Sequence, residues 1–263
     1  MEIFQGNQES IAMYAWPNAR ARHIVILAHG YGEHLGRYGY VADFLLGRGA
    51  VVAGPDHVGH GRSGGERVVV TDYELVVDDL HSVVMRAKRR HPGLELVVVG
   101  HSMGGMIGAR YAQLHGEELA GLVLSGPVLG SWMAVTDLLE LDEIPDDPLD
   151  VSTLSRDPRV GEIYGDDELV WHGPFKRATL AAIASELQTI TSGPELGPLP
   201  TLWLHGEKDQ LVPISETRRG IDALGFTRLE EVVYPGARHE VFNETNKDEV
   251  LTRTADFIDR VTG

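Results

Sequence analysis

Residues 94–116 read LELVVVGHSMGGMIGARYAQLHG. An apolar run rich in β-branched side chains leads directly into Gly100-His101-Ser102-Met103-Gly104, and a glycine-rich helical pattern leaves it. Strand, G-x-S-x-G turn and helix together predict a nucleophile elbow, in which a tight turn strains the serine backbone and exposes the hydroxyl above a sheet. A lone match to this pattern is weak in a chain with 31 glycines, so context decides. The second match, Gly61-Arg62-Ser63-Gly64-Gly65, follows a loop and precedes more turn. Ser63 therefore reads as a loop serine, and Ser102 as the nucleophile.

Outward from this stretch, short apolar runs alternate with longer helical patterns. Residues 23–28, 50–53, 119–124, 201–204 and 230–234 read as buried strands of a mostly parallel sheet. Residues 3–4 and 11–14 predict an antiparallel hairpin before them. Helices are predicted over 39–48, 103–115, 215–224 and 247–261, and the clearest one starts at Thr71. There Thr71 and Glu74 read as a capping-box pair, Tyr73, Val76, Val77, Leu80, Val83, Val84 and Ala87 form one apolar stripe, and His91-Pro92-Gly93 stops the helix. Such alternation implies an α/β fold with helices on both faces.

A serine hydroxyl needs a base, and the base needs an orienting group. At a strand-to-helix elbow of this kind the expected chain order is Ser, then Asp or Glu, then His. Asp209 follows the 201–204 strand within HGEKDQLVP, and His239 follows the 230–234 strand within PGARHE. Both would sit at the carboxyl ends of strands, where open α/β sheets bind ligands. The oxyanion hole is expected from two backbone N–H groups. One belongs to Met103, after the nucleophile, and the other to Tyr31 in the HGYGEH loop after the first core strand.

HGYGEH, DHVGHGRSGG, GHSMGG, HGEKDQLVP and ARHEVFNE together resemble the monoacylglycerol lipase family of α/β-hydrolases. The resemblance implies an α/β-hydrolase fold, a mostly parallel central sheet with helices on both faces and a helical cap. It implies Ser102, Asp209 and His239 as the catalytic triad, with Tyr31 supplying an oxyanion amide. The expected reaction is hydrolysis of a monoacylglycerol to fatty acid and glycerol through an acyl-enzyme, without a cofactor. Polar groups near the glycerol head are implied too, with Glu33 and Arg37 as candidates, although the two could equally form a structural ion pair. The fold also hosts lysophospholipases, general carboxylesterases and non-catalytic ligand-binding modules. Epoxide hydrolases and dehalogenases place a carboxylate at the elbow, which Ser102 argues against.

One stretch breaks the alternation. Residues 127–194 show no convincing strand and hold thirteen acidic against four basic side chains, more than half of the net charge of −16. We read them as a cap inserted between two halves of a core formed by 1–126 and 195–263. Trp132, Met133, Val135, Leu138, Leu139 and Ile144 could line an acyl tunnel and touch a lipid surface, or could equally only pack the cap onto the core.

The rest of the composition mostly excludes. With 39 acidic residues against 23 Lys and Arg, the surface repels phosphate backbones, so nucleic-acid binding is not expected. The absence of cysteine removes disulfides and thiolate chemistry. His57 and His60 are read as loop histidines bonded to backbone, not as metal ligands, since zinc needs three or four converging groups. No apolar run approaches the ~20 residues of a membrane span, and the start has no secretion-signal pattern. A soluble cytoplasmic protein, at most peripheral to a membrane, is the expectation; the oligomeric state is left open.

Overall fold

The computed structural model describes residues 1–147 and 149–263; residue 148, inside the expected cap, lies outside the described residues. Among the described residues, eight strands form one sheet: β1 (Glu2–Gln5), β2 (Ser10–Trp16), β3 (His23–Ala28), β4 (Ala50–Pro55), β5 (Glu95–His101), β6 (Gly121–Ser125), β7 (Thr201–Gly206) and β8 (Leu229–Tyr234). Their order is β1-β2-β4-β3-β5-β6-β7-β8. β1 and β2 pair antiparallel, as does β2 with β4. From β4 through β8 every neighbouring pair is parallel.

The helices are α1 (Gly39–Gly47), α2 (Tyr73–Arg90), α3 (Met103–His115), α4 (Met133–Glu140), α5 (Pro158–Asp166), α6 (Arg177–Ser192), α7 (Ile214–Ala223) and α8 (Lys247–Thr262). Alternation along the central strands explains why they read as unbroken apolar runs. Ile24, Ile26, Leu96 and Val98 enter one core layer, shared with α2, α3 and α6. Val25, Leu27, Val97 and Val99 enter the other, shared with α1 and α8. A strand buried on both faces has no polar side to alternate with.

The chain leaves β3 toward β4 on one side and returns to β5 on the other. The carboxyl ends of β3 and β5 thus form the topological switch point, the standard ligand crevice of an open α/β sheet. In register, Ala28 pairs with Gly100, which sets the loop after β3 beside the elbow after β5.

One local expectation changes. The capping residue of α2 is Asp72, whose carboxylate accepts the Glu74 N–H at 2.9 Å, in place of a Thr71–Glu74 capping box. A carboxylate at this position also meets the positive end of the helix dipole. Between β6 and β7 the described residues form helices and loops without a strand, and α6 among them is anchored in the core. Its Leu180, Ile183, Leu187 and Ile190 are buried in the main core layer, and Thr179 Oγ1 donates to Val68 O at 2.8 Å while accepting the Val70 N–H at 3.0 Å. Among the described residues, no helix is long and apolar enough to cross a membrane.

Candidate active site

Ser102 sits between β5 and α3 with φ 54° and ψ −118°. Among the described residues it is one of two non-glycine residues with positive φ, a conformation that costs energy and persists only where the surroundings enforce it. The enforcement is close backbone packing. A Cβ on Gly100 would lie 2.2 Å from Gly104 O, and one on Gly104 would lie 2.1 Å from Ala28 O. Only glycine at both positions lets α3 start this close to β5 and β3. Ser63, by contrast, is structural: its hydroxyl donates to Asp56 O at 2.6 Å and accepts the Ala12 N–H at 2.9 Å.

Asp209, buried in the turn after β7, uses every part of its carboxylate. Oδ1 accepts the Leu211 and Val212 N–H groups at 3.0 and 2.9 Å. Oδ2 accepts His239 Nδ1–H at 2.7 Å and lies 3.3 Å from His205 Nε2. Burial alone would raise its pKa, but His239 and His205 outweigh it and hold the carboxyl well below the usual range. Burial likewise disfavours the imidazolium of His239, yet the Asp209 carboxylate overcomes this and raises the histidine pKa. The ring of His239 packs 4.7 Å from that of His101, the residue before Ser102. The Nδ1–Asp209 bond fixes the tautomer that leaves Nε2 as acceptor.

The amides of Tyr31 and Met103 hydrogen-bond to no other described part of the chain, so both N–H groups are free for an oxyanion. The loop carrying Tyr31 is held from below. Glu33 accepts the Gly30 N–H at 2.6 Å and the Tyr38 hydroxyl at 2.7 Å, and pairs with Arg37 at 2.5 Å. Arg37 then forms a two-pronged bridge to Glu240, both contacts at 2.9 Å. Glu240 directly follows His239. One buried guanidinium therefore ties the loop of the free Tyr31 amide to the loop of the histidine.

A cavity of about 550 Å³ joins these groups; Ser102, His239, Tyr31, His101, Glu33 and Glu240 all reach its wall. Most of the remaining wall is apolar and comes from the 127–194 segment. Trp132, Leu138 and Ile144 line it as expected. Leu139 does not, and packs against the core layer instead. Val135 is buried in that layer and Met133 points to solvent. Arg37 also lies off the cavity, committed to its two carboxylates, and the oxygens of Glu33, though at the wall, are already bonded. The pair is an ion-pair bridge in this structure, the second of the two roles expected for it. Of the loop histidines, His60 bonds through Nδ1 to Val58 O at 2.8 Å, as expected; among the described residues the ring Nε2 of both His57 and His60 is buried without a partner.

Several contributors escaped the sequence reading. Trp171 and Phe175 line the cavity from loops, where no periodicity marks them. Phe175 stacks on Tyr31 with ring centroids 4.7 Å apart, and the Trp171 N–H donates to Gly32 O at 2.7 Å. His205 accepts from Trp203 Nε1 at 3.2 Å and donates from Nε2 to Val212 O at 2.9 Å, bracing the Asp209 turn. Its one visible signal was its place at the head of the HGEKD turn.

Comparison with known proteins gives the family of the chain. Residues 19–246 match the serine aminopeptidase, S33 family (Hydrolase_4). The chain is 37% identical over 251 residues to a monoacylglycerol lipase of Mycolicibacterium smegmatis, covering 92% of this chain and 90% of that one. It is 33% identical over 250 residues to the human monoglyceride lipase, covering 88% and 80% respectively. The crystal structure of Paleococcus ferrophilus monoacylglycerol lipase superposes with a TM-score of 0.80 at 26% identity, over 99% of this chain and 100% of that one. The chain thus belongs to the Hydrolase_4 family of α/β-hydrolases and, within it, to the monoacylglycerol lipases.

Proposed function

We propose that the protein is a serine hydrolase that cleaves monoacylglycerols to fatty acid and glycerol. The observation that carries the reading is the meeting, in one largely apolar cavity, of a strained Ser102, a buried Asp209–His239 pair and two unbonded amides. The similarity to monoacylglycerol lipases supports the choice of substrate.

In this mechanism His239 Nε2 takes the Ser102 proton as Oγ attacks the ester carbonyl. Asp209 stays ionised and stabilises the imidazolium. The Tyr31 and Met103 amides hold the oxyanion. Glycerol leaves with the proton from His239, and water then attacks the acyl-enzyme by the same route, releasing fatty acid and restoring Ser102. Arg37 acts as a positioning residue, holding the Tyr31 and His239 loops in mutual register.

The 127–194 segment acts as a cap whose anchored part is α6 and whose acyl-binding part includes Trp132, Leu138 and Ile144. Burying an acyl chain there gains about 0.8 kcal/mol per CH₂. Among the described residues of the segment, four large apolar side chains are exposed, Met133 at 54%, Leu141 at 43%, Ile163 at 65% and, at the cavity wall, Leu149 at 38%. We assign these to transient contact with a lipid surface by an otherwise cytoplasmic enzyme.

The test is a rate comparison on 1-oleoylglycerol and the lysophosphatidylcholine of the same chain. Faster turnover of the glycerol ester, abolished in Ser102→Ala, is expected. Equal or reversed preference would overturn the head-group assignment.

A further inference from the structure

At the far end of α3 from the elbow, α2 passes the α3 C-terminus and brings together His81, His115 and Glu118. Each offers one donor atom, and these atoms all lie within 4.8 Å of one another. His81 comes from α2, His115 closes α3, and Glu118 follows three residues later, one helical turn on. The two imidazoles stack, with centroids 4.1 Å apart and planes at 10°. His115 Nδ1 is 4.0 Å from Glu118 Oε1.

Two of the three groups hold a further hydrogen bond to a neighbouring side chain. The hydroxyl of the fully buried Tyr111 bonds to His81 Nδ1 at 3.2 Å. Lys88 Nζ donates to Glu118 Oε2 at 2.8 Å, which leaves Oε1 as the oxygen near histidine. Outer partners of this kind orient metal ligands and raise their affinity. All three side chains are partly exposed, so an ion has a path in and the rings have room to turn.

We propose that His81, His115 and Glu118 form a binding site for a divalent transition-metal ion of the zinc class, separate from the hydrolytic cavity. Two imidazoles and a carboxylate are a donor set that zinc accepts, with water at the fourth vertex. An all-oxygen cation such as Mg²⁺ or Ca²⁺ is disfavoured by the same donors. Bonds of about 2.1 Å require tetrahedral edges of about 3.4 Å, so the donors close by roughly 1 Å and His115 turns out of its stack to aim a lone pair. Thirteen residues of helix, about 20 Å at 1.5 Å per residue, separate the site from Ser102. Coordination there would clamp α2 to α3 and leave the ester chemistry untouched.

The test uses the full-length protein, stripped with EDTA and titrated with Zn²⁺ by calorimetry, with Co²⁺ absorption as a second readout. One equivalent of zinc and a tetrahedral cobalt spectrum are expected in the unaltered protein. His81→Ala combined with His115→Ala should remove both signals, and Glu118→Gln should weaken zinc binding by about tenfold or more. Circular dichroism verifies that the variants are folded. No zinc bound by the unaltered protein, or the same binding in the double variant, would overturn the proposal.

Discussion

On the sheet side of the cavity, each group proposed to act on the ester sits within a few residues of a strand end: Tyr31 after β3, Ser102 after β5, Asp209 after β7 and His239 after β8. These loops are held by backbone contacts, glycine approaches and buried ion pairs. The 127–194 side is built otherwise. It is helical and strongly acidic; its α6 is buried in the main core layer, and further ties reach the loops around the cavity. His34 Nε2 bonds to Asp167 at 2.9 Å, the Glu240 N–H donates to Leu154 O at 2.8 Å, and Arg37 lies 4.9 Å over the Tyr164 ring. We propose that the chemistry belongs to the sheet side and substrate choice to the covering side, so substitutions on the two sides should differ in kind as well as in size.

The largest effect expected within this contrast is at Asp209. Asp209→Asn should lower turnover by about 10⁴ with little change in the acyl-length profile. It should also move the pH profile. His239 must be neutral to act as base, and in the unaltered protein Asp209 raises its pKa above the usual 6.5, so kcat/KM is lost as pH falls through that raised value. Without the carboxylate, burial dominates, and the acid limb should shift to lower pH.

Next comes Arg37→Met, which strands two carboxylates whose side chains are only 5 and 6% exposed. Breaking such a buried network costs about 3–5 kcal/mol, readable by urea unfolding. In the folded fraction kcat should drop by about 10²-fold through loop misplacement, with KM nearly unchanged. A loss confined to KM would mean that Arg37 meets substrate after all.

On the covering side, Leu138→Asp should reduce kcat/KM for long-chain esters by about tenfold, since a carboxylate in the apolar wall opposes chain burial. Hydrolysis of p-nitrophenyl acetate should survive. Equal loss on both substrates would indicate misfolding and erase the distinction between the two sides.

The smallest effect is expected at Ile163→Asp. It should slow hydrolysis of substrate in vesicles by about two- to threefold, less than one CH₂ burial per side chain would suggest for several anchors together. Monomeric substrate should be hydrolysed at the original rate. An unchanged vesicle rate would remove the surface-contact proposal.

The same division governs what could be read before the structure. Strands such as residues 23–28 and 201–204 were legible because short apolar runs end abruptly at glycine or at a turn. Ser102, Asp209 and His239 were legible because each follows such a run in the required order. The Arg37–Glu240 bridge was not, since it joins residues 203 apart and nothing local in either segment announces the partner. Leu138 and Leu139 are adjacent on the eight-residue α4 and so point about 100° apart. Pattern alone could not say which would face the cavity until α6 was placed beneath α4. Trp171 and Phe175 lie in loops, where periodicity carries no signal. The Asp72 cap was missed by one residue because Thr71 and Glu74 fit the capping-box pattern, whereas Asp72 is followed three residues on by Leu75.

The central claim, that Ser102 is the reactive oxygen activated by the Asp209–His239 pair, is tested most directly by active-site labelling. The protein is treated with a fluorophosphonate, digested and mapped by mass spectrometry. One adduct, on Ser102, is predicted, with labelling sharply slowed in His239→Ala. An adduct on another residue, or continued ester hydrolysis by protein with no adduct at Ser102, would contradict the account.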